Sequence, residues 1–296
     1  MNASANASAS AKTAGSTASS TVNRGRGWRD ALLYLLLTLV ALIVVFPLWS
    51  AFTISMLDDT QLATYPPHLV PTSLHLTNFV RALEQAPLLR YLFNSIVQSS
   101  LVMVGQLAMA SLAAYAFAFI DFKGRNIMFL VFLSTMMIPW EATIIPNYLT
   151  VRSLGWTDTF MGLTVPFMAT AFGTFLLRQF FLTIPRELQD AATIDGASSL
   201  RFLLTIVLPL ARPALGTLAV YSFLQTYNQY LWPLLITNDQ QMRTVQIGIA
   251  LLQDEERFMF NTVMAGVVLV LLPTFILFIV GNRQLIRGLT AGAVKG

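Results

Sequence analysis

The stretch "ELQDAATIDGASSLRFLLTIVLPLARP", Glu187 to Pro213, interrupts a chain that is otherwise close to lipid in character. It begins with acids and small residues, passes a glycine, and ends in a short apolar run stopped by Pro209 and Pro213. Pro185 suits the first turn of a helix, where its missing N–H is not needed. Glu187 and Asp190 then lie near the positive N-terminal end. Leu188, Ala191, Ala192 and Asp195 share one face by 3–4 spacing, and two adjacent alanines keep that face flat enough for close approach. Gly196 turns the chain at little steric cost. Ser198 or Ser199 caps a second helix carrying "LRFLLTIVLP". The product expected is a two-helix elbow at about 185–213, with a small polar knob outward and an apolar arm against the rest of the protein. The plainer alternative is an ordinary amphipathic loop.

Composition sets the setting of that elbow. The chain has 296 residues, of which 55% are hydrophobic and only 11% charged, and its mean hydropathy is +0.65. Soluble domains carry about 25% charged residues, so this is an integral membrane protein. With no cysteine, disulfides and thiolate metal sites are excluded. Both histidines, His68 and His75, fall in one polar loop and read as solvated rather than as ligands, so no metal site is expected. Residues 1–27 are rich in Ala, Ser and Thr and carry no acid. They read as a disordered tail ahead of a transmembrane domain over 28–296.

A crossing helix needs roughly 20 mostly apolar residues. Such runs occur at Ala31–Leu57, Tyr91–Ile120, Asn126–Asn147, Thr159–Leu177, Pro213–Asn238 and Phe258–Asn282, six spans in all. Lys123, Arg125, Arg178, Arg186, Arg201, Arg212, Arg283 and Arg287 gather on the ends shared with the tail, while Arg81, Arg90, Arg152, Arg243 and Arg257 mark the opposite ends. The excess of positive charge places both termini, and the elbow, in the cytoplasm. A longer loop from Asp58 to Leu89 lies outside.

At "DAATIDGA" (Asp190–Ala197), followed by Leu208, Pro209 and Pro213, the sequence resembles the coupling loop of ATP-binding-cassette importer permeases. "LRQFFLTIPREL" (Leu177–Leu188), "YNQYLWPLLI" (Tyr227–Ile236) and the ending "LIRGLTAGAVKG" (Leu285–Gly296) extend the resemblance to the smaller permease of carbohydrate-uptake importers, the maltose-permease-like family. Within it, "LLRQFF" and "NQYLWPLLI" look most like sn-glycerol-3-phosphate permeases, whereas the ending is shared with maltose and trehalose permeases. Two positions depart from the family's pattern: Asp190 stands where Glu is usual, and Tyr227 where Trp is usual.

The resemblance implies an all-α integral membrane protein of six transmembrane helices with a cytoplasmic coupling elbow, the type I importer fold. It implies that Glu187, Asp190, Ala191, Ala192, Asp195, Gly196 and Ala197 contact an ATPase subunit. It further implies that the ending, from Thr290 to Lys295, touches the ATPase pair. The partners implied are a second permease, two ATPase subunits, an extracytoplasmic solute-binding protein, a sugar or polyol-phosphate solute and the lipid bilayer of a bacterial or archaeal cytoplasmic membrane, with no nucleic acid. This chain is expected to bind no cofactor. It has no G-x-x-x-x-G-K-[ST] phosphate loop, so ATP and Mg belong to the partner ATPases and no catalytic residue is expected here.

Polar residues within spans are costly and mark candidate sites. Glu141, between Pro139 and Pro146 in a helix expected to kink, is the only acid well inside a span; the alternatives are a pair with a neighbouring helix or a place at the outer interface. Gln225, Asn228 and Gln229 fall on one face and, with Tyr227, suit a hydroxyl-rich solute; the alternative is hydrogen-bonding between helices. Met128, Met136 and Met137 read as packing, and Trp49, Trp140 and Trp232 as interface or packing aromatics. No basic residue sits centrally in a span, so a phosphate would be recognised elsewhere. An autonomous secondary transporter would show internal repeats, and a membrane enzyme a convergent nucleophile, base or metal set; neither appears.

Overall fold

The computed structural model describes residues 24–64, 70, 74–253 and 259–290, with side chains for residues 28–281 among these. His68 and Lys295 lie outside the described residues. Apart from turns, the described chain is helical, as an apolar sequence with few polar backbone partners requires: a helix satisfies its own N–H and C=O groups.

Two compact units are present, Met1–Ser50 and Ala51–Gly296. Helix α1 (Arg24–Ser55) starts inside the stretch read as a tail. From Leu32 to Phe46 its apolar side chains are exposed, which makes it a helix for lipid or a protein partner rather than for water.

In the second unit, α2 (Asp59–Leu62) and α3 (Thr77–Gln85) follow the end of α1. Buried Asn78 on α3 donates to the carbonyls of Ser55 and Leu57, at 3.0 and 2.8 Å. Asn261 donates to Leu57 O as well, at 3.1 Å, and to Asp59 Oδ1 at 2.9 Å. His75 stands 3.7 Å from the Asp58 carboxylate in this polar region, as a loop histidine.

The body is built on α4 (Leu88–Phe119). The chain continues through α5 (Arg125–Ser134), α6 (Trp140–Ser153), α7 (Phe160–Thr164), α8 (Ala171–Phe181), α9 (Glu187–Ile194), α10 (Ser199–Phe202), α11 (Leu208–Leu210), α12 (Arg212–Tyr227), α13 (Leu231–Ile236), α14 (Val245–Gln253) and α15 (Phe260–Thr290). Helix α4 packs against α8 and α12, and α12 also packs against α15. A Cβ on Gly248 of α14 would lie 2.6 Å from the Tyr91 ring, so only glycine allows that crossing. A second core holds Tyr91, Phe223, Tyr227, Val245 and Val263.

Among the described residues, three helices, Trp28–Ser55, Leu88–Phe119 and Phe260–Gly281, are long and apolar enough to cross a bilayer; counting each bent pair as one span gives up to six. One bend falls in the span expected to kink, beside Glu141, and the others were not expected. Arg125–Met137 and Trp140–Ser153 meet at 94°, and Phe160–Phe167 and Ala171–Phe181 at 47°. The first bend falls at Pro139, because the residue before a proline is pushed out of the α region: Ile138 is extended, with ψ 115°. Pro146 stays inside α6. The expected Pro213–Asn238 span breaks after Tyr227, where Asn228 ends α12 and its Nδ2 donates back to Leu224 O at 2.8 Å. Met128, Met136 and Met137 are exposed, Met137 at 83%, so they are surface residues rather than packing. At the far end, helix α15 carries Gly288–Thr290, where continuity with the preceding turns supports small residues that would not hold a helix alone.

Candidate functional site

The elbow forms from local sequence. Arg186 is the N-cap of α9, so Pro185 precedes the helix instead of opening it. Asp195 ends α9, and Gly196 follows with φ +76°, the left-handed conformation that favours glycine. The N–H of Gly196 donates to Thr193 O at 3.0 Å and that of Ala197 to Ala192 O at 2.8 Å. These paired bonds close the helix end and bring Ala197 against Ala192. Two residues later the Ser198 hydroxyl accepts from the Arg201 N–H at 3.3 Å and caps the second helix. The arm then widens into a π-helix over Leu203–Val207. Pro209 has no N–H to return to Thr205 O, and a wider turn relieves the clash its ring would cause. Ser199–Leu210 meets α12 at 83°.

The two faces of α9 divide differently from the expectation. Ala192 is turned inward, 6% exposed, and packs with Phe119, Phe181, Phe202, Leu203 and Val207. Ile194 is 86% exposed, and Glu187, Asp190 and Ala191 are exposed with it. The outward face is therefore Glu187, Asp190, Ala191 and Ile194, at the 3–4–7 spacing of one helical stripe. Ala192 does not belong to it, and Asp195 and Gly196 are exposed at its end. Ile194 was missed because an isoleucine in an apolar chain gives no signal until its exposure is seen.

The elbow is seated on the end of α4. Phe119 meets Phe202 edge-on at 5.5 Å and Phe181 at 6.3 Å. Gln189 Nε2 reaches Phe119 O at 3.5 Å.

The second set of predicted residues separates into two groups. Gln225 and Asn228 are exposed; Gln225 Nε2 donates to Tyr221 Oη at 3.0 Å, and Asn228 Oδ1 accepts from Gln246 Nε2 at 3.4 Å. With Tyr221 and Gln246 they make a polar stripe along α12 and the start of α14. Tyr227 is not on that stripe: it is 2% exposed, stacked on Phe223, and donates to Val270 O at 2.8 Å. Gln229 is also turned away, accepting from buried Gln98 at 3.1 Å. Both act in packing: Tyr227 lies two residues on from Gln225 and so on the other side of α12, and the break at Asn228 turns Gln229 off the helical face.

The family model for "Binding-protein-dependent transport system inner membrane component" matches residues 106–287, which include the whole elbow. The chain belongs to this family. It is 38% identical over 268 residues, 88% of this chain and 95% of the relative, to the "sn-glycerol-3-phosphate transport system permease protein UgpE" of Yersinia enterocolitica. It is 37% identical over 273 residues, 89% and 97% of the two chains, to the protein of the same name from Escherichia coli O1:K1 / APEC. Its fold matches a chain of a bacterial ABC transporter involved in the import of the acidic polysaccharide alginate, with a TM-score of 0.78, 25% identity, and 89% and 98% of the chains covered. A second match, at a TM-score of 0.60, 15% identity and 86% and 94% coverage, is to the alginate ABC transporter in complex with a pentasaccharide-bound periplasmic protein. The chain is thus an ABC importer permease, a multi-pass inner-membrane component with the type I importer fold.

In this permease Glu141 sits in the first turn of α6, exposed, just past the 94° bend. An acid there is favoured by the helix dipole. Trp140 and Trp232 pack as expected for packing aromatics, 5.6 Å apart, with Phe167 completing the triad. Trp232 Nε1 donates to Gly162 O at 3.1 Å.

The permease also carries a polar spine on α4 that sequence reasoning passed over. Asn94 Nδ2 donates to the carbonyls of Gln241 and Arg243, Ser95 Oγ accepts from Val245 N–H, and Gln106 Nε2 donates to Phe167 O at 2.8 Å. Asn94, Ser95, Gln98 and Gln106 recur at helical spacing within an apolar run, and that recurrence was the available signal. They satisfy the carbonyls, and at Val245 the N–H, that broken helices leave open.

Proposed function

We propose that this permease lines one half of the pathway of an importer for a phosphorylated polyol or related sugar derivative, sn-glycerol-3-phosphate being the first candidate. The outward stripe Glu187–Asp190–Ala191–Ile194, backed by an inward anchor at Ala192 and Phe202, carries the reading: it is a rigid knob with an exposed apolar tip. It docks on a separate ATPase subunit, one of two, which bind ATP and Mg. A second permease completes the pathway, and an extracytoplasmic solute-binding protein delivers the solute. The termini and the elbow are cytoplasmic, as the excess of arginine and lysine at that end supports. The ending from Thr290 to Lys295 lies on the same side and contacts the ATPase pair. Tyr221, Gln225, Asn228 and Gln246 form the chain's polar pathway face: amides and a phenol match hydroxyl groups, and an exposed polar stripe at membrane depth is costly against lipid. The names of the relatives support the phosphate solute, while the stripe itself holds no cation. Its phosphate is therefore bound mainly by the partner permease or the binding protein.

The test is purification of the tagged chain from its host membrane, followed by reconstitution with the binding protein. An ATPase and a second permease co-purify, and sn-glycerol-3-phosphate stimulates ATP hydrolysis where maltose and trehalose do not. Recovery without any ATPase overturns the coupling reading, and stimulation by a disaccharide overturns the solute.

A further inference from the structure

Gln106, on α4, uses both ends of its side-chain amide. Its Nε2 donates to Phe167 O at 2.8 Å, and its Oε1 accepts from the Ser222 hydroxyl on α12. Phe167 closes the 3-10 turn Val165–Phe167 and stands immediately before the 47° bend into α8. A carbonyl at the end of a helical segment has no partner further along it, and Gln106 supplies one. A single side chain therefore ties a helix break to a second helix.

The bend is packed closely against α4. A Cβ on Gly105, the residue before Gln106, would lie 2.5 Å from Met168 Cγ, so Met168 at the bend fills the place a side chain there would take. Beyond the bend α8 comes close to α12: a Cβ on Gly173 would lie 3.1 Å from Leu218 Cδ1.

These contacts converge on two rings. Phe172, in the first turn of α8, meets Tyr221 of α12 with ring centroids 4.5 Å apart. Tyr221 adjoins Ser222 in sequence, and its Oη accepts from Gln225 Nε2 at 3.0 Å. Because Gln225 supplies that donor, the phenol's own proton is directed elsewhere. Gln106 thus fixes both members of the ring pair, Phe172 through the bend and Tyr221 through Ser222.

We propose that Gln106 is a positioning residue for solute passage: it sets the spacing of α8 and α12, and with it the direction in which Tyr221 offers its hydroxyl. The inference rests on the reading of Tyr221 and Gln225 as pathway residues. Gln106 acts through Tyr221, since both ends of its own amide are engaged within the chain.

Oxidative cross-linking reads the geometry without any solute. The chain has no cysteine, so Phe172→Cys with Tyr221→Cys in one full-length chain reports that spacing alone. The pair should form a disulfide on mild oxidation, and do so severalfold more slowly when Gln106→Met or Ser222→Ala is added. Ser222→Ala breaks only the α12 end of the bridge and carries the test if Gln106→Met does not fold. Ser222→Thr, which keeps the hydroxyl, should retain the parental rate. A parental rate in Ser222→Ala overturns the proposal.

Uptake then separates the proposal from the reading beneath it. In the assembly reconstituted with the binding protein, Tyr221→Phe, Gln106→Met and Ser222→Ala should each raise KM for sn-glycerol-3-phosphate about fivefold, the effect of one hydrogen bond to the solute, with the maximal rate and ATPase recovery unchanged. Gln98→Leu removes a buried bridge that leads to no pathway residue, and should lower melting while leaving KM parental. A raised KM in Tyr221→Phe with a parental KM in Ser222→Ala, or an equal rise in Gln98→Leu, overturns the proposal alone. A parental KM in Tyr221→Phe overturns the pathway reading and the proposal with it.

Discussion

Phe202, in the arm of the elbow, meets Phe119, the last residue of α4, with ring centroids 5.5 Å apart and ring planes 89° apart. Both side chains are buried, and Tyr115 joins the same cluster. The elbow is therefore held to the body at its arm and at Ala192, while the outward face of its knob stays exposed. A push on the knob reaches α4 through this contact as well as α12 through the chain.

Truncating that bearing should loosen the elbow. Phe→Ala in a core costs about 3–5 kcal/mol, so Phe202→Ala should lower the melting temperature of the purified permease and open the elbow to trypsin at Arg201. Phe202→Leu, which keeps most of the volume, should lie between. Unchanged proteolysis in Phe202→Ala would show that the arm is held elsewhere.

Gly196 tests backbone shape apart from space. A Cβ there meets nothing within 4 Å, so any effect comes from its positive φ. Left-handed backbone costs a non-glycine residue about 1–2 kcal/mol, with Asn penalised least. Gly196→Asn should be mild and Gly196→Val worst, in both thermal stability and coupled transport. Equal behaviour of the two would remove the conformational argument.

Ala192 and Ile194 should part company. Ala192→Leu overpacks the core under α9, at a cost of about 1–3 kcal/mol, and should destabilise the permease even without partners. Ile194→Ala, at an exposed position, should leave melting within about 0.5 kcal/mol of the parent while reducing ATPase co-purification. If Ile194→Ala retains the ATPase fully, the outward stripe is not the docking face.

The polar residues divide in the same way. Gln225→Ala and Asn228→Ala should lower solute uptake with little change in melting. Gln98→Leu should do the reverse, because it removes a buried donor and leaves the Gln229 acceptor unpaired, a loss of about 1–3 kcal/mol. Uptake and melting measured on each variant decide the matter; uptake unaffected in both Gln225→Ala and Asn228→Ala would return them to helix–helix bonding.

What the sequence determined by itself was whatever depends on local chemistry. The apolar runs required helices, Pro139 required a break after Ile138, and Gly196 with Ser198 required one helix to stop and another to start. These outcomes are set by a residue's own backbone preferences and by partners within a turn or two. Only the tertiary structure decided which side of each helix looks inward. Ala192 and Tyr227 were assigned to surfaces because their neighbours in sequence are polar, yet Phe202 covers one and Phe223 with Val270 the other. Ile194 was overlooked for the converse reason. In a chain where apolar side chains face both core and lipid, the hydrophobic pattern no longer distinguishes inside from outside. Nor could it show that α12 ends at Tyr227, since a helix stops there only because Asn228 caps it and Gln229 finds Gln98 on another helix.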